Sequence, residues 1–418
     1  MRSTQALLPG ATFEHKRLLA PRQALSAYQA AVALGPPGIE TIPLAAAHGR
    51  ILAADAVARE EFPPHARSTM DGFAVRSTDG SSPRRIAGEV RMGRAAPGAL
   101  GEGEAMRIPT GGSLPPGADA VVPVEDASET DAGVTFGVAP EAGQYVTPVG
   151  SDMTTGQVAI AAGRRIGGPE MGVLATLGQI EVVVYRRPRV AVISTGDELV
   201  DAALVPGEGQ VRDSNRWAIA GTLAALGADA VQLPNARDDL AELRAVLADG
   251  LARADAVILT GGSSVGERDL TPEAIELFEG PGVIVHGLRV KPGKPTLLAA
   301  VGTKPVFGLS GNPASSLIIL EAVIAPLVRA LTGERPGRPA FVPSVAGAAF
   351  TGRAGWTWYV PAELRRDAGG ERAYPLPLRS ADASLLARAS GYVVLTEDRP
   401  QIAAGEPLEV MLFASGAR

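Results

Sequence analysis

Between residues 188 and 331 the spacing of apolar positions changes period repeatedly. "RVAVIST" (189–195) is an almost unbroken apolar run of strand length. "DSNRWAIAGTLAALG" (213–227) then returns apolar residues at helical intervals, with Asp213, Ser214 and Asn215 as cap candidates and Gly227 as its stop. "ADAVQLP" is a second strand, and "DDLAELRAVLADGLARA" a helix with Leu240, Leu243, Leu247 and Leu251 on one face. "ADAVILT" is a third strand, "TPEAIELFEG" a short helix with Pro272 in its first turn, "KPVFGLS" a further strand, and "NPASSLIILEAVIAPLVRALTG" a long helix. Strand–helix alternation predicts a three-layer α/β domain with a mostly parallel sheet, because strands this continuously apolar must be covered on both faces.

The rest of the chain has other textures. Residues 15–35 read as a helix, with Leu18, Leu19, Leu25, Tyr28 and Val32 near helical spacing. From 62 to 148 the segments are short and broken by Gly and Pro. "RRIAGEVRMG", "EAMRIPTGG", "ADAVVPVED" and "AGVTFGVAP" read as strands joined by turns. A Gly-rich hinge, "RRIGGPEMG", interrupts the longer elements of 150–187. After the Pro/Gly-rich "GERPGRPA" (333–340) the chain is again β-rich, ending in the strand "LEVMLF". The division expected is a mixed N-terminal domain (15–61 plus 149–187), an inserted β-rich domain (62–148), an α/β domain (188–335) and a β-barrel-like C-terminal domain (336–418).

Candidate chemistry gathers at three strand ends: "STGDEL" (194–199), "LTGGSSVGERD" (259–269) and "GLSGNPASS" (308–316). Ligands in open α/β sheets bind at the carboxyl ends of strands. Each of these ends is built of small residues, whose free N–H groups make anion sites. One Gly-Gly turn alone is an ordinary turn; three such loops beside a lysine pair are harder to dismiss. Only four lysines occur, and two of them, Lys291 and Lys294, share "KPGKP". The acids Asp197, Glu198, Asp238 and Asp269 stand beside the same loops. Carboxylates next to a phosphate need a bridging cation, and Mg²⁺ fits their hard oxygens. The competing reading makes Asp238 or Asp239 a helix cap, Asp197 and Glu198 a solvated turn, and Asp213–Asn215 a cap rather than a ligand contact.

Composition narrows the chemistry. The chain has 418 residues and no cysteine, which excludes thiolate metal sites, iron–sulfur clusters and cysteine nucleophiles. The four histidines are scattered, so a histidine-rich metal site is not expected. A net charge of −6 implies no nucleic-acid or anionic-membrane surface. No long uninterrupted apolar run and no signal-peptide pattern is visible, so a cytoplasmic protein without a membrane span is expected. No Walker lysine motif or Gly-x-Gly-x-x-Gly is present.

"TGGSSVGERD", "STGDEL", "GQVRDSN", "KPGKP" and "GLSGNPASS", with "STMDGFAV" (68–75), "RIPTGGSLPPGADAVVPVE" (107–125) and "ADASLLARASGYVVL" (381–395), together resemble the molybdopterin molybdenumtransferase family, MoeA in bacteria and the homologous domain of gephyrin. The resemblance covers nearly the whole chain, with the motifs in family order. It implies insertion of molybdenum from molybdate into adenylylated molybdopterin, with release of AMP. Two anions must then meet in one site, which calls for cations and oriented amides.

Carried over position by position, the resemblance implies that Asp269, Glu198 and Asp238 hold Mg²⁺ or position water. Lys291 and Lys294 would hold phosphate or molybdate, and Thr195, Gly196, Gly261, Gly262, Ser263, Ser310, Gly311 and Asn312 would line the cradle. Asp71, Thr110 and Asp152 match polar site residues of the other domains. The resemblance further implies a homodimer, with transient contact to molybdopterin adenylyltransferase and client molybdoenzymes. Two positions depart from the family: Ser310 stands where proline is usual, and Thr147 where arginine is usual. The alternatives are the preceding adenylyl transfer, or a non-catalytic scaffold for cofactor intermediates or client enzymes.

Overall fold

The computed structural model describes residues 18–261, 270–367, 370–378, 382 and 384–414. They form two compact units: residues 1–53, 163–166 and 182–418 in one, residues 54–162 and 167–181 in the other.

At the centre of the larger unit is a six-stranded sheet. Its strands are β1 (Arg189–Ser194), β2 (Asp229–Gln232), β3 (Ala256–Thr260), β4 (Gly282–His286), β5 (Leu297–Val301) and β6 (Lys304–Leu309). The order is β2-β1-β3-β6-β5-β4. The β2/β1, β1/β3 and β3/β6 pairs are parallel, whereas β6/β5 and β5/β4 are antiparallel. Of the six strands, β4 and β5 were not expected from the sequence. They add an antiparallel ribbon to a parallel core.

Alternate strand positions feed two cores, as the pleat requires. Val190, Val192, Ile258, Phe307 and Leu309 face Ile219 and Leu223 of α1 (Asn215–Leu226), Tyr28 of the helix Pro21–Ala31, and the helix that follows β6. Ala191, Ile193, Val257, Leu259 and Val306 face Leu243 and Leu247 of α2 (Leu240–Arg253) and Ile275 of α3 (Leu270–Glu276). The result is the expected three-layer α/β arrangement.

Helix ends obey the sequence signals. α1 stops at Gly227, in the left-handed region at φ 89°. Asp239, not Asp238, caps α2, accepting from the Glu242 N–H at 2.9 Å. The helix after β6 begins as α4 (Pro313–Ile319), passes through π turns over Leu320–Ile324, and resumes as α5 (Ala325–Thr332). By length and composition this helix would cross a membrane, but most of it is buried, as a core helix is.

The C-terminal segment closes on itself. Thr357–Asp367 pairs with both Gly370–Pro375 and Gly391–Leu395, and Phe341–Ala346 and Pro407–Leu412 complete a closed five-stranded barrel. Phe350, Ala362, Val393, Leu395 and Val410 fill it. The short strand Val290–Lys291 adds to its outside by pairing with Thr357–Trp358.

In the smaller unit a four-stranded sheet runs Arg85–Glu89, Glu104–Ile108, Gly72–Val75, Ala120–Pro123. Phe73, Val75, Val122, Val134 and Phe136 form part of its core. Val158–Ile160 and the helix Gly168–Thr176 also belong to this unit.

Candidate active site

β1, β3 and β6 are parallel neighbours, so their carboxyl ends lie side by side. The three small-residue loops therefore meet there. An open cleft of about 520 Å³ lies over them, lined by Thr195, Glu198, Gly261, Ser310, Gly311 and Asn312 among others. Five of the cradle positions expected from the sequence are thus brought together, with Glu198 beside them.

Backbone geometry explains the glycine at 261. Its φ is +112°, and a Cβ there would stand 2.1 Å from the Thr195 carbonyl oxygen. Only glycine allows β3 to leave the sheet so close to the end of β1. The Thr195 N–H donates to the Thr260 carbonyl at 2.8 Å, and the Gly261 N–H to that of Leu309 at 3.3 Å. These bonds hold the loop starts in register.

A single amide joins the loops above the sheet. The Asn215 side chain donates to Thr260 Oγ1 and to the Gly311 carbonyl, both at 2.9 Å. Thr260 Oγ1 donates in turn to the Ser310 carbonyl at 3.2 Å. Asn215 is therefore the clamp of the cleft, not its helix cap. The N-cap is Ser214, which makes no side-chain cap bond, while Asp213 before it accepts from the Arg216 N–H at 3.2 Å and pairs with the Arg216 guanidinium at 3.0 Å. Ser310 Oγ accepts from the Asn312 N–H at 3.3 Å, so serine at this position braces the turn into α4. The hydroxyls of Ser194 and Thr195 are buried without partners among the described residues, and both residues line the cleft.

Among the described residues, the cation that lines the cleft is an arginine. Arg212 lines the cleft, its Nε donating to the Leu204 carbonyl at 2.8 Å. Lys291 and Lys294 are not among the lining residues. Their loop leaves β4, which runs parallel to β6, at the same end of the sheet but two strands away. Both lysines are exposed. The Lys291 amine lies 4.6 Å from the Trp358 ring centroid. "GQVRDSN" therefore carries Arg212, to which the sequence gives no role, and Asn215, which it offers as a helix cap and which instead ties the loops together.

Among the acids, Asp197 and Asp238 are adjacent: the Asp238 N–H donates to Asp197 Oδ1 at 3.4 Å. Both are exposed, as is Glu198. Gly196 precedes them, and its N–H donates to the Ala236 carbonyl at 3.1 Å. Gly262, Ser263 and Asp269 lie outside the described residues. Among the described residues no three acids or histidines converge as a metal cluster.

In the smaller unit Asp71 and Thr110 are brought together, the Thr110 N–H donating to Asp71 Oδ1 at 2.7 Å. Asp152 is exposed, its N–H donating to the Phe62 carbonyl at 3.0 Å. Thr147 pairs directly across from Arg67. The Nε of Arg67 is buried without a partner among the described residues.

Comparison with known proteins agrees with this architecture segment by segment. Residues 19–178 match the MoeA N-terminal region (domain I and II), 191–330 a probable molybdopterin binding domain, and 343–413 the MoeA C-terminal region (domain IV). A molybdopterin molybdenumtransferase of Staphylococcus aureus is 31% identical over 385 residues, covering 90% of this chain and 92% of that one. The chain belongs to the MoeA family. A solved MoeA protein from Pyrococcus horikoshii superposes with a TM-score of 0.79 at 32% identity, over 95% of this chain and 99% of that chain. A second, at 23% identity, shares the fold with a TM-score of 0.81, over 95% and 100%.

Proposed function

We propose that this protein inserts molybdenum from molybdate into adenylylated molybdopterin and releases AMP, as a cytoplasmic homodimer. The reading rests on one observation: small residues from three strand ends, Thr195, Gly261 and Ser310 to Asn312, line one cleft that also carries Glu198 and Arg212. The name borne by the S. aureus relative supports it.

Each part of the cleft has work suited to its chemistry. The Ser310–Asn312 turn, at the start of α4, receives phosphate or molybdate oxygens, with Thr195 and Gly261 on the facing wall. Arg212 balances their charge from the rim. Lys291 and Lys294 attract the anions at the same end of the sheet. Asp71, Thr110 and Asp152 are assigned to the substrate as polar contacts.

Mg²⁺ keeps several waters and needs only one or two protein carboxylates. Glu198 supplies one within the cleft, and Asp238 and Asp269 are the further candidates, so the donor set fits the ion. When bound, Mg²⁺ neutralises phosphate charge and so eases adenylate hydrolysis.

The test is AMP release from adenylylated molybdopterin by the purified protein with Mg²⁺, with and without molybdate. Molybdate-dependent AMP release with active cofactor formed is expected. Tight binding without AMP release would overturn the insertase reading and leave a scaffold. Light scattering on the eluted protein checks the dimer.

A further inference from the structure

Next to the cleft, and sharing Asp213 with it, is a second depression of about 250 Å³. Its walls include Asp201, Arg216, Trp217, Pro234 and Asn235. Pro234 and Asn235 follow β2, Asp201 follows the short strand Leu199–Val200, and Trp217 lies in the first turn of α1. The depression thus sits at the ligand-binding end of the sheet, beyond β1. It is smaller than a site for a whole drug-sized ligand, and suits one ring system of a larger molecule whose remainder occupies the cleft.

Two features make it more than a dent. Trp217 is 57% exposed, an indole left in water on a wall of the depression. The amide of Asn235 is also locked. Arg216 donates to Asn235 Oδ1 and, at 2.7 Å, to the Leu233 carbonyl, while its Nε pairs with Asp213 at 3.0 Å. A guanidinium only donates, so the Asn235 oxygen faces it and the NH₂ is left for another partner. Asp201 keeps a carboxylate oxygen as acceptor, its Oδ1 being engaged by the Ala203 N–H at 2.9 Å.

We propose that Trp217 and Asn235 form a ring-recognition subsite for a planar nitrogen heteroaromatic group of the substrate. The indole stacks on the ring face. The Asn235 NH₂ donates to a ring acceptor, and Asp201 accepts from an exocyclic amino group. Adenine and a pterin both present an acceptor beside an amino group, and adenylylated molybdopterin contains both rings. The choice of substrate rests on the proposed insertase function; the subsite itself rests on Trp217, Arg216 and Asn235.

The test titrates AMP, 6-hydroxymethylpterin and ribose 5-phosphate into the full-length protein by calorimetry, in wild type, Trp217→Ala, Trp217→Phe and Asn235→Ala. For the ring that is bound, Trp217→Ala is expected to weaken binding about tenfold, as loss of one stacking contact does. Trp217→Phe should retain most of the affinity, and ribose 5-phosphate should not respond. An effect confined to AMP assigns adenine; one confined to the pterin assigns the pterin. Unchanged affinity for both ring ligands in Trp217→Ala overturns the proposal. So does an equal loss for ribose 5-phosphate, or an effect of Trp217→Ala confined to oligomeric state. The two readings separate cleanly. Trp217-dependent ring binding without molybdate-dependent AMP release keeps the subsite and loses the insertase. AMP release with a KM indifferent to Trp217 and Asn235 does the reverse.

Discussion

Asn215→Ala tests whether one buried amide holds the cleft together. Asn215 is 9% exposed and spends both amide hydrogens within the protein, on Thr260 and Gly311. Alanine removes two hydrogen bonds, each worth about 0.5–1.5 kcal/mol net, and leaves the Gly311 carbonyl short of a partner at about 1–3 kcal/mol. Water entering from the open cleft offsets part of this, so a loss of about 2 kcal/mol is the low end. In a domain of this size that lowers Tm by at least about 4 °C. The functional loss should be larger, because the clamp sets the Ser310–Asn312 turn against Gly261, where a Cβ on Gly311 would lie only 3.4 Å from the Gly261 Cα. A displacement of about 1 Å at a positioning group costs on the order of 100-fold in rate. Thermal unfolding and steady-state AMP release read the two effects separately. Asn215→Asp keeps the shape but sets a carboxylate against the Gly311 carbonyl, and should be worse at pH 8 than at pH 5. An Asn215→Ala protein with the Tm and rate of wild type would refute the clamp.

Asp269→Asn and Glu198→Gln remove charge with little change of shape, so both should keep the wild-type Tm and lose Mg²⁺-dependent AMP release; an unaltered rate in either variant removes that residue from the mechanism. Arg67 pairs across from Thr147; if its guanidinium supplies the cation that the resemblance expects at 147, Arg67→Ala should raise the KM for adenylylated molybdopterin. Adding Thr147→Arg to that variant should restore the KM, and failure of this rescue together with an unchanged KM in Arg67→Ala would exclude Arg67 from anion binding. Glu321, in the π turns of the core helix, has its carboxyl pKa raised by burial, against the opposing Ala414 N–H and Arg329. A carboxyl raised in the fold contributes its full stability below the unfolded pKa and loses it as pH rises through the folded one. Glu321→Gln should therefore gain Tm relative to wild type between pH 4.5 and pH 8, and parallel Tm–pH curves for the two proteins would count against it.

What the sequence made legible follows the range of the forces involved. β1, β3 and β6 are buried on both faces, so their apolar runs announce them. β4 and β5 were missed for opposite reasons. β4 is an edge strand, with only Gly282 and Val285 buried. β5, "LLAAV", includes two alanines, which are poor strand formers. Both take their conformation from the neighbour that pairs with them. The glycine loops could be read because the demand for free backbone N–H groups is local. Asn215 could not, because its partners lie 45 and 96 positions away while its local context is that of a helix start. The lysines show the same limit on the electrostatic side. Sequence placed Lys291 and Lys294 at the right end of the sheet. The direction of a long side chain depends on what packs beside it, and for Lys291 that is Trp358 of the barrel. A run of small residues is thus written into strand ends, whereas which cations line the cleft depends on tertiary packing; among the described residues that lining cation is Arg212.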